Sequence, residues 1–163
     1  MNTAYLVSAS ENPSTLKELA ELAKTLGIEC AGSVHVRLKS VHPRFYLGSG
    51  KAADIVLEAK QLGAGLIIFD DDLSPSQQRN WEELTKIPVI DRRELILEIF
   101  AAHAKTKEAK LQIELASLEY TLPRLKRAWT HLSRQQGGSR GTRGEGEKQI
   151  ELDRRSVLIK IAK

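Results

Sequence analysis

The sequence predicts an α/β unit, a small parallel sheet of about four strands flanked by helices, followed by a long antiparallel α-helical hairpin with a glycine-rich tip. Three observations predict it. Short apolar runs alternate with amphipathic stretches through the first ninety residues, the pattern of strand–helix–strand crossovers and hence of parallel strands. From Leu111 the leucines fall into a heptad seam, with no further strand pattern. The stretch "GGSRGTRGEGE" (137–147) then places five glycines and two arginines, with no apolar side chain, between two helical segments. The change of pattern near residue 100 divides the chain into an α/β subdomain over 1–100 and a helical hairpin subdomain over 101–163.

Each element has its own signal. "AYLVSA" (4–9) is a short apolar strand. "NPSTLKELAELAKTLG" (12–27) is a helix with Asn12 as N-cap, Pro13 at its first position and Gly27 as its stop. Its stripe is Leu16, Leu19, Ala20, Ala23 and Leu26. "IECAGSVHVRL" (28–38) is a second strand, and "GKAADIVLEAKQLG" (50–63) a second helix closed by Gly63. "LIIF" (66–69) is a continuous apolar run, as expected of a strand buried on both faces. "SPSQQRNWEELTK" (74–86) carries a capping-box pattern, Ser74 with Gln77 three residues on, and Pro75 between them. "PVI" (88–90) is a fourth strand, and "RRELILEIFAAHAKT" (92–106) a helix. The seam that follows runs through Leu111, Leu115, Leu118, Leu122, Leu125, Trp129 and Leu132. Pro123 lies inside it and predicts a kink at the carbonyl of Glu119. "EKQIELDRRSVLIKIAK" (147–163) is the returning helix, with Ile150, Val157 and Ile161 on one face.

Composition narrows the class of protein. Hydrophobic residues make up 41% of the chain and charged residues 28%, ordinary values for a soluble globular protein. No apolar run approaches the roughly 18 residues of a membrane span. The start, "MNTAYLVSAS", has neither the basic nor the long apolar region of a signal peptide. Cys30 is the only cysteine and has no internal disulfide partner, so a cytoplasmic location is expected.

Charge is unevenly spread. Residues 1–123 hold 14 Lys/Arg against 17 Asp/Glu, whereas residues 124–163 hold 11 against 4. A net of +7 in the last forty residues suggests a polyanion-binding end, with nucleic acid the first candidate; a solvated basic helix face is the plainer reading. The tip fits the first. Arg140 and Arg143 offer two guanidinium forks suited to phosphate. Gly137, Gly138, Gly141, Gly144 and Gly146 let the backbone approach an anion closely. Arg134, Lys148, Arg154 and Arg155 continue the charge along the stem.

Other motifs admit two readings each. "LGSGKAAD" (47–54) is not a P-loop, because Phe45 stands where the first glycine belongs and Ala52 where a hydroxyl would hold magnesium. Gly48-x-Gly50-x-x-Ala53, with Lys51 in the turn and Asp70 twenty residues past Gly50, does match a dinucleotide fingerprint. The preceding "HPRFY" makes a poor buried strand, so the same glycines also read as a turn that opens a helix. Asp70, Asp71 and Asp72 suit a magnesium ion or simply a helix N-terminus. The four histidines show no metal-ligand spacing.

The blocks "LIIFDDDLSPSQQRNWEE", "VIDRRELILEIFAAHAKTKEAKLQIELASLEYTLPRL" and "WTHLSRQQGGSRGTRGEGEKQIELDRR" together resemble the N-terminal region of the HflX family of ribosome-associated GTPases. The likeness runs from about Phe45 to Lys163, with the three blocks in the family's order. It implies an α/β subdomain, a helical hairpin and then a C-terminal GTPase domain, acting on the large ribosomal subunit in ribosome dissociation or rescue. The tip would approach the peptidyl-transferase region of the RNA. On that reading the RNA-binding residues are Arg134, Gly137, Gly138, Arg140, Gly141, Arg143, Gly144, Gly146 and Lys148. No P-loop, DxxG or NKxD pattern occurs, so no GTPase domain is expected in this chain. It is expected to be non-catalytic and to hold no cofactor, with GTP and Mg²⁺ confined to the GTPase domain. The family's tip usually reads GTRGPGETQLE; here Glu145 replaces the proline and Lys148 the threonine, which loosens the tip and adds one charge of each sign. The alternative is a nucleotide-binding α/β enzyme using the turn at Gly48, Gly50 and Lys51 together with Asp70.

Overall fold

The computed structural model describes residues 2–135, with side chains as far as Arg124, together with residues 155 and 159. The chain divides into two compact units, residues 1–99 and 100–163.

In the first unit, strands β1 (Thr3–Ser8), β2 (Glu29–His35), β3 (Leu66–Phe69) and β4 (Val89–Asp91) form one sheet in the order β2-β1-β3-β4. Every pairing is parallel. The chain leaves β1 for β2 on one side and then returns past β1 to β3 and β4. Right-handed crossovers in opposite directions must run over opposite faces. Accordingly, α1 (Thr15–Thr25) packs on the face of Ala4, Leu6 and Ile68, where Leu95 of α4 (Arg92–His103) also lies. Helices α2 (Ser49–Gln61) and α3 (Pro75–Thr85) cover the face of Tyr5, Val7, Ile67, Phe69 and Val89. With helices on both faces, Ala4 to Val7 are all fully buried, which explains a strand sequence without polar alternation.

Caps and glycines set the element ends. Ser74 Oγ accepts from the Gln77 N–H at 3.1 Å, and Gln77 Oε1 accepts from the Ser74 N–H at 2.9 Å, completing the predicted capping box. Gly27 and Gly63 follow α1 and α2 with φ of 72° and 68°, the left-handed region that favours glycine. Gly32 has a different reason. A Cβ there would lie 2.6 Å from Leu62 Cδ1 and 3.0 Å from Tyr5 Cε2. The β1–β2 register also shifts there, Ala4 facing Cys30 and Tyr5 facing Gly32, so Ala31 is bulged.

Two predicted ends move. Helix α1 begins at Thr15, not beside Asn12, because the Asn12 carboxamide is used locally: its Oδ1 accepts from the Ser14 N–H at 3.0 Å. The helix predicted over 92–106 ends at His103, since Thr106 caps its successor. Thr106 Oγ1 accepts from the Ala109 N–H at 3.1 Å, so α5 (Lys107–Gln135) starts a turn before the seam.

In the second unit, Leu111 is buried and Leu115, Leu118 and Leu122 are half-buried, while Gln112, Glu114, Glu119 and Thr121 are exposed. Helix α5 continues through Pro123. Side chains supplement the turn before the proline. Thr121 Oγ1 donates to the Ser117 carbonyl at 2.7 Å, and Arg124 donates from Nη1 to the Tyr120 carbonyl at 2.9 Å. The Arg124 guanidinium also sits 3.5 Å from the Tyr120 ring centroid. The tip at 137–147 and the antiparallel return to 163 fall outside the described residues, apart from Arg155 and Ile159, both helical and exposed.

Candidate functional site

The sheet reverses its winding between β1 and β3. In open α/β sheets, ligands bind in the crevice outside the carboxyl ends of the strands at such a reversal. The residues delivered there are Ser8, Ala9 and Ser10 after β1, Asp70, Asp71 and Asp72 after β3, His35 at the end of β2, and Asp91 and Arg92 at the β4–α4 junction.

These groups are joined to one another. The Arg92 guanidinium reaches Asp70 Oδ1 at 2.8 Å from Nη1, and Glu18 of α1 from Nη2. The Ser8 hydroxyl lies 3.3 Å from Asp70 Oδ2, to which it donates. Asp71 Oδ2 accepts from the Ala9 N–H at 2.7 Å, and Tyr46 donates to Asp71 Oδ1 at 3.4 Å. Asp72 turns away to Arg93 at 3.2 Å. His35 Nε2 donates to the Ser10 carbonyl, and the Ser8 and Ser10 hydroxyls both meet Thr15 Oγ1. Buried Asp91 accepts from the Leu73 N–H, the Glu94 N–H and Arg93, so it both caps α4 and ties down the turn after β3. The motif Asp91-x-x-Glu94 is the sequence signal for that cap.

Burial disfavours the charged form of Asp71 and pushes its carboxyl up; neighbouring Asp70 adds to the rise, while the Ala9 N–H and Tyr46 oppose it. Tyr46 is pushed up by burial first and then by Asp71. Burial opposes the charge of Arg92, but its bonds to Asp70 and Glu18 outweigh this and hold it more firmly protonated. The polar groups at this sheet end are thus bonded largely to one another. Among the described residues no group of three His, Cys, Asp or Glu side chains is arranged to hold a metal ion. The three aspartates point to different partners.

The glycine turn of the dinucleotide fingerprint does not follow directly on a strand. Gly48 is the N-cap of α2, and Gly50 and Lys51 lie in its first turn, but β2 ends at His35, well before them. "HPRFY" forms only an antiparallel bridge between His42 and Tyr46. Asp70, whose side chain is 5% exposed, is bonded to Ser8 and Arg92, and neither Lys51 nor the glycine turn bonds to it. The other candidates are Arg134, on α5, and Gly137, Gly138, Arg140, Gly141, Arg143, Gly144, Gly146 and Lys148, which lie outside the described residues.

Comparison with known proteins identifies the chain's kind. Residues 13–101 match the family described as GTP-binding GTPase N-terminal, and residues 103–163 match the GTP-binding GTPase middle region. Similar proteins include GTPase HflX of Spirochaeta thermophila, 52% identical over 94% of this chain, and GTPase HflX of Escherichia coli, 47% identical over 90%. The chain belongs to the HflX family. It spans 38% and 34% of the length of those two relatives and corresponds to the family's N-terminal and middle regions. Its backbone is similar to that of SsGBP in complex with GDP, with a TM-score of 0.75 and 27% identity, covering 99% of this chain and 44% of that one. It is also similar to a GTP-binding protein from Sulfolobus solfataricus in complex with GDP, with a TM-score of 0.71 and 26% identity over 99% of this chain and 45% of that one. No helix among the described residues is long and apolar enough to cross a membrane.

Proposed function

We propose that this chain is the ribosome-binding region of an HflX-type GTPase. It acts in the cytoplasm on the RNA of the large ribosomal subunit, in dissociation or rescue, and hydrolyses no GTP itself. GTP and Mg²⁺ belong to a C-terminal GTPase domain of the whole protein. The observation that carries the reading is the charge division within a family member: 11 Lys/Arg against 4 Asp/Glu in residues 124–163, centred on a stretch of glycine and arginine. RNA offers phosphates to guanidinium forks and an irregular surface to a pliable backbone. The pairing of Asp70 supports the same reading, because the acidic residue of the nucleotide-enzyme alternative is already bonded to Ser8 and Arg92.

The test is the affinity of the chain for large ribosomal subunits across salt concentrations, beside titrations with GTP, ATP and NAD. Subunit binding should weaken steeply with salt, and the three nucleotides should not bind. The double change Arg140→Ala, Arg143→Ala should weaken subunit binding and make the salt slope shallower by roughly one to two, at about 0.7–0.9 per neutralised phosphate. Its circular dichroism should not change. Unchanged affinity and slope would make the tip a passive connection. Saturable nucleotide binding lost on changing Asp70 would favour the enzyme instead.

A further inference from the structure

The α/β unit is acidic overall, with 14 Asp/Glu against 11 Lys/Arg in residues 1–99, yet residues 30–53 contain no acid at all. They carry Arg37, Lys39, Arg44 and Lys51, together with His35 and His42. All four Lys/Arg side chains are exposed, and none forms an ion pair among the described residues. Most of this stretch is the connection from β2 to α2, residues 36–48. Connections of this type usually take about 2–6 residues, and longer ones tend to be functional.

The connection is firmly held. Phe45 and Leu47 insert into the core, and three side chains of α3 clamp its backbone. Gln77 donates to the His42 carbonyl at 3.1 Å, Asn80 to the Arg44 carbonyl at 2.9 Å and Trp81 to the Phe45 carbonyl at 2.7 Å. The Arg44 guanidinium rests 5.0 Å from the Phe45 ring centroid. Tyr46, within the connection, donates to Asp71 Oδ1 at 3.4 Å. At the far end, Gly48 and Gly50 have ordinary negative-side backbone geometry, and a Cβ on either would meet nothing within 4 Å. The fold itself therefore does not require glycine at either position, whereas close approach of a phosphate does. A protein partner would call for apolar anchors at the centre of the surface, and only Val41 is offered.

We infer that the strap from Arg37 to Lys51 is a second RNA-binding surface, on the α/β unit, which grips a phosphate backbone through Arg37, Lys39, Arg44 and Lys51 without reading bases. It rests on the RNA-binding function proposed above, but uses residues separate from the tip. A strap fixed before binding loses little conformational freedom on contact, so its charges add directly to affinity.

The experiment compares three forms of the full chain on large ribosomal subunits at several salt concentrations: wild type, the tip variant, and a strap variant with Arg37→Ala, Lys39→Ala and Arg44→Ala. The strap variant should bind at least tenfold more weakly near 0.1 M salt, with a slope shallower by roughly two to three, at about 0.7–0.9 per phosphate lost. Arg37→Lys, Arg44→Lys should restore most of both, because phosphate contact needs charge more than shape. Thermal unfolding of each variant reports on folding. A strap variant that is folded and binds with wild-type affinity and slope, while the tip variant is weakened, overturns this inference and leaves the proposed function standing. A strap effect without a tip effect supports the strap and removes the tip. Absence of any salt-dependent binding by the wild type overturns both.

Discussion

Arg92 decides the chemistry of the crevice at the level of single residues. Its guanidinium neutralises Asp70, whose side chain is 5% exposed, and takes Glu18 as a second partner. Removing one member of a largely buried pair leaves a charge without compensation. Arg92→Ala should therefore destabilise the α/β unit by about 3 kcal/mol, the low end for such pairs because Arg92 itself keeps some solvent contact. Adding Asp70→Asn should recover much of that loss. Urea unfolding at neutral pH measures both, and a loss below about 1 kcal/mol would mean that the pair behaves as a solvent-screened one. Asp71 sets the pH dependence. Its pKa is raised in the folded chain, so the folded state holds the proton more readily than the unfolded state. The stabilisation from this group is full below the ordinary carboxylate value and is lost as pH rises through the raised one. Asp71→Asn keeps an acceptor for the Ala9 N–H and removes the titration. Its unfolding free energy should fall less than that of wild type as pH rises through the carboxylate range. An identical pH profile would show that Asp71 is not the group responsible.

Among the elements, the connection from β2 to α2 depends on α3 more than on its own sequence. Trp81 is fully buried, packs against Phe69 and Phe45 at 4.9 and 5.7 Å between ring centroids, and bonds the Phe45 carbonyl. Trp81→Phe keeps an aromatic core but leaves that buried carbonyl without its donor, at a cost of about 1–3 kcal/mol. Hydrogen exchange should speed up selectively between residues 42 and 47; a uniform rise across the sheet would mean that the core, not the strap, had yielded. This dependence also marks the limit of what the sequence makes legible. Strand β3 and helix α3 are readable because their signals are local: one apolar run and one Ser74–Gln77 box. The strap is not, because its anchors lie about 36 residues away along the chain and its backbone turns through Tyr46 at a φ of 66°. "HPRFY" looks like a failed strand, when Phe45 and Leu47 in fact enter the core on either side of half-buried Tyr46. The start of α1 is misread for a related reason. Asn12 and Pro13 give an N-terminus signal, but the carboxamide is spent on a turn just before the helix.

Across the whole molecule, charge was legible and pairing was not. The basic C-terminal end and the acidic α/β unit follow from counting residues. That Asp70 is neutralised by Arg92, 22 residues on, follows only from the parallel β3–β4 pairing that brings two strand ends together. The same topology makes the α/β unit self-sufficient. Both faces of its sheet are covered by helices drawn from residues 15–103, and among the described residues the two core clusters include none beyond Ile99. Residues 1–104, cut where Ala104 completes the last turn of α4 through the Phe100 carbonyl, should therefore fold alone. We expect a single cooperative unfolding transition with a midpoint within a few degrees of the corresponding transition in the full chain. A domain of this size should shift by roughly 4–8 °C for each 1 kcal/mol lost, so calorimetry will detect even modest support from residues 105–163. Loss of the near-UV aromatic signal from the fully buried Trp81 in the shortened chain would show that the core is not complete within these residues.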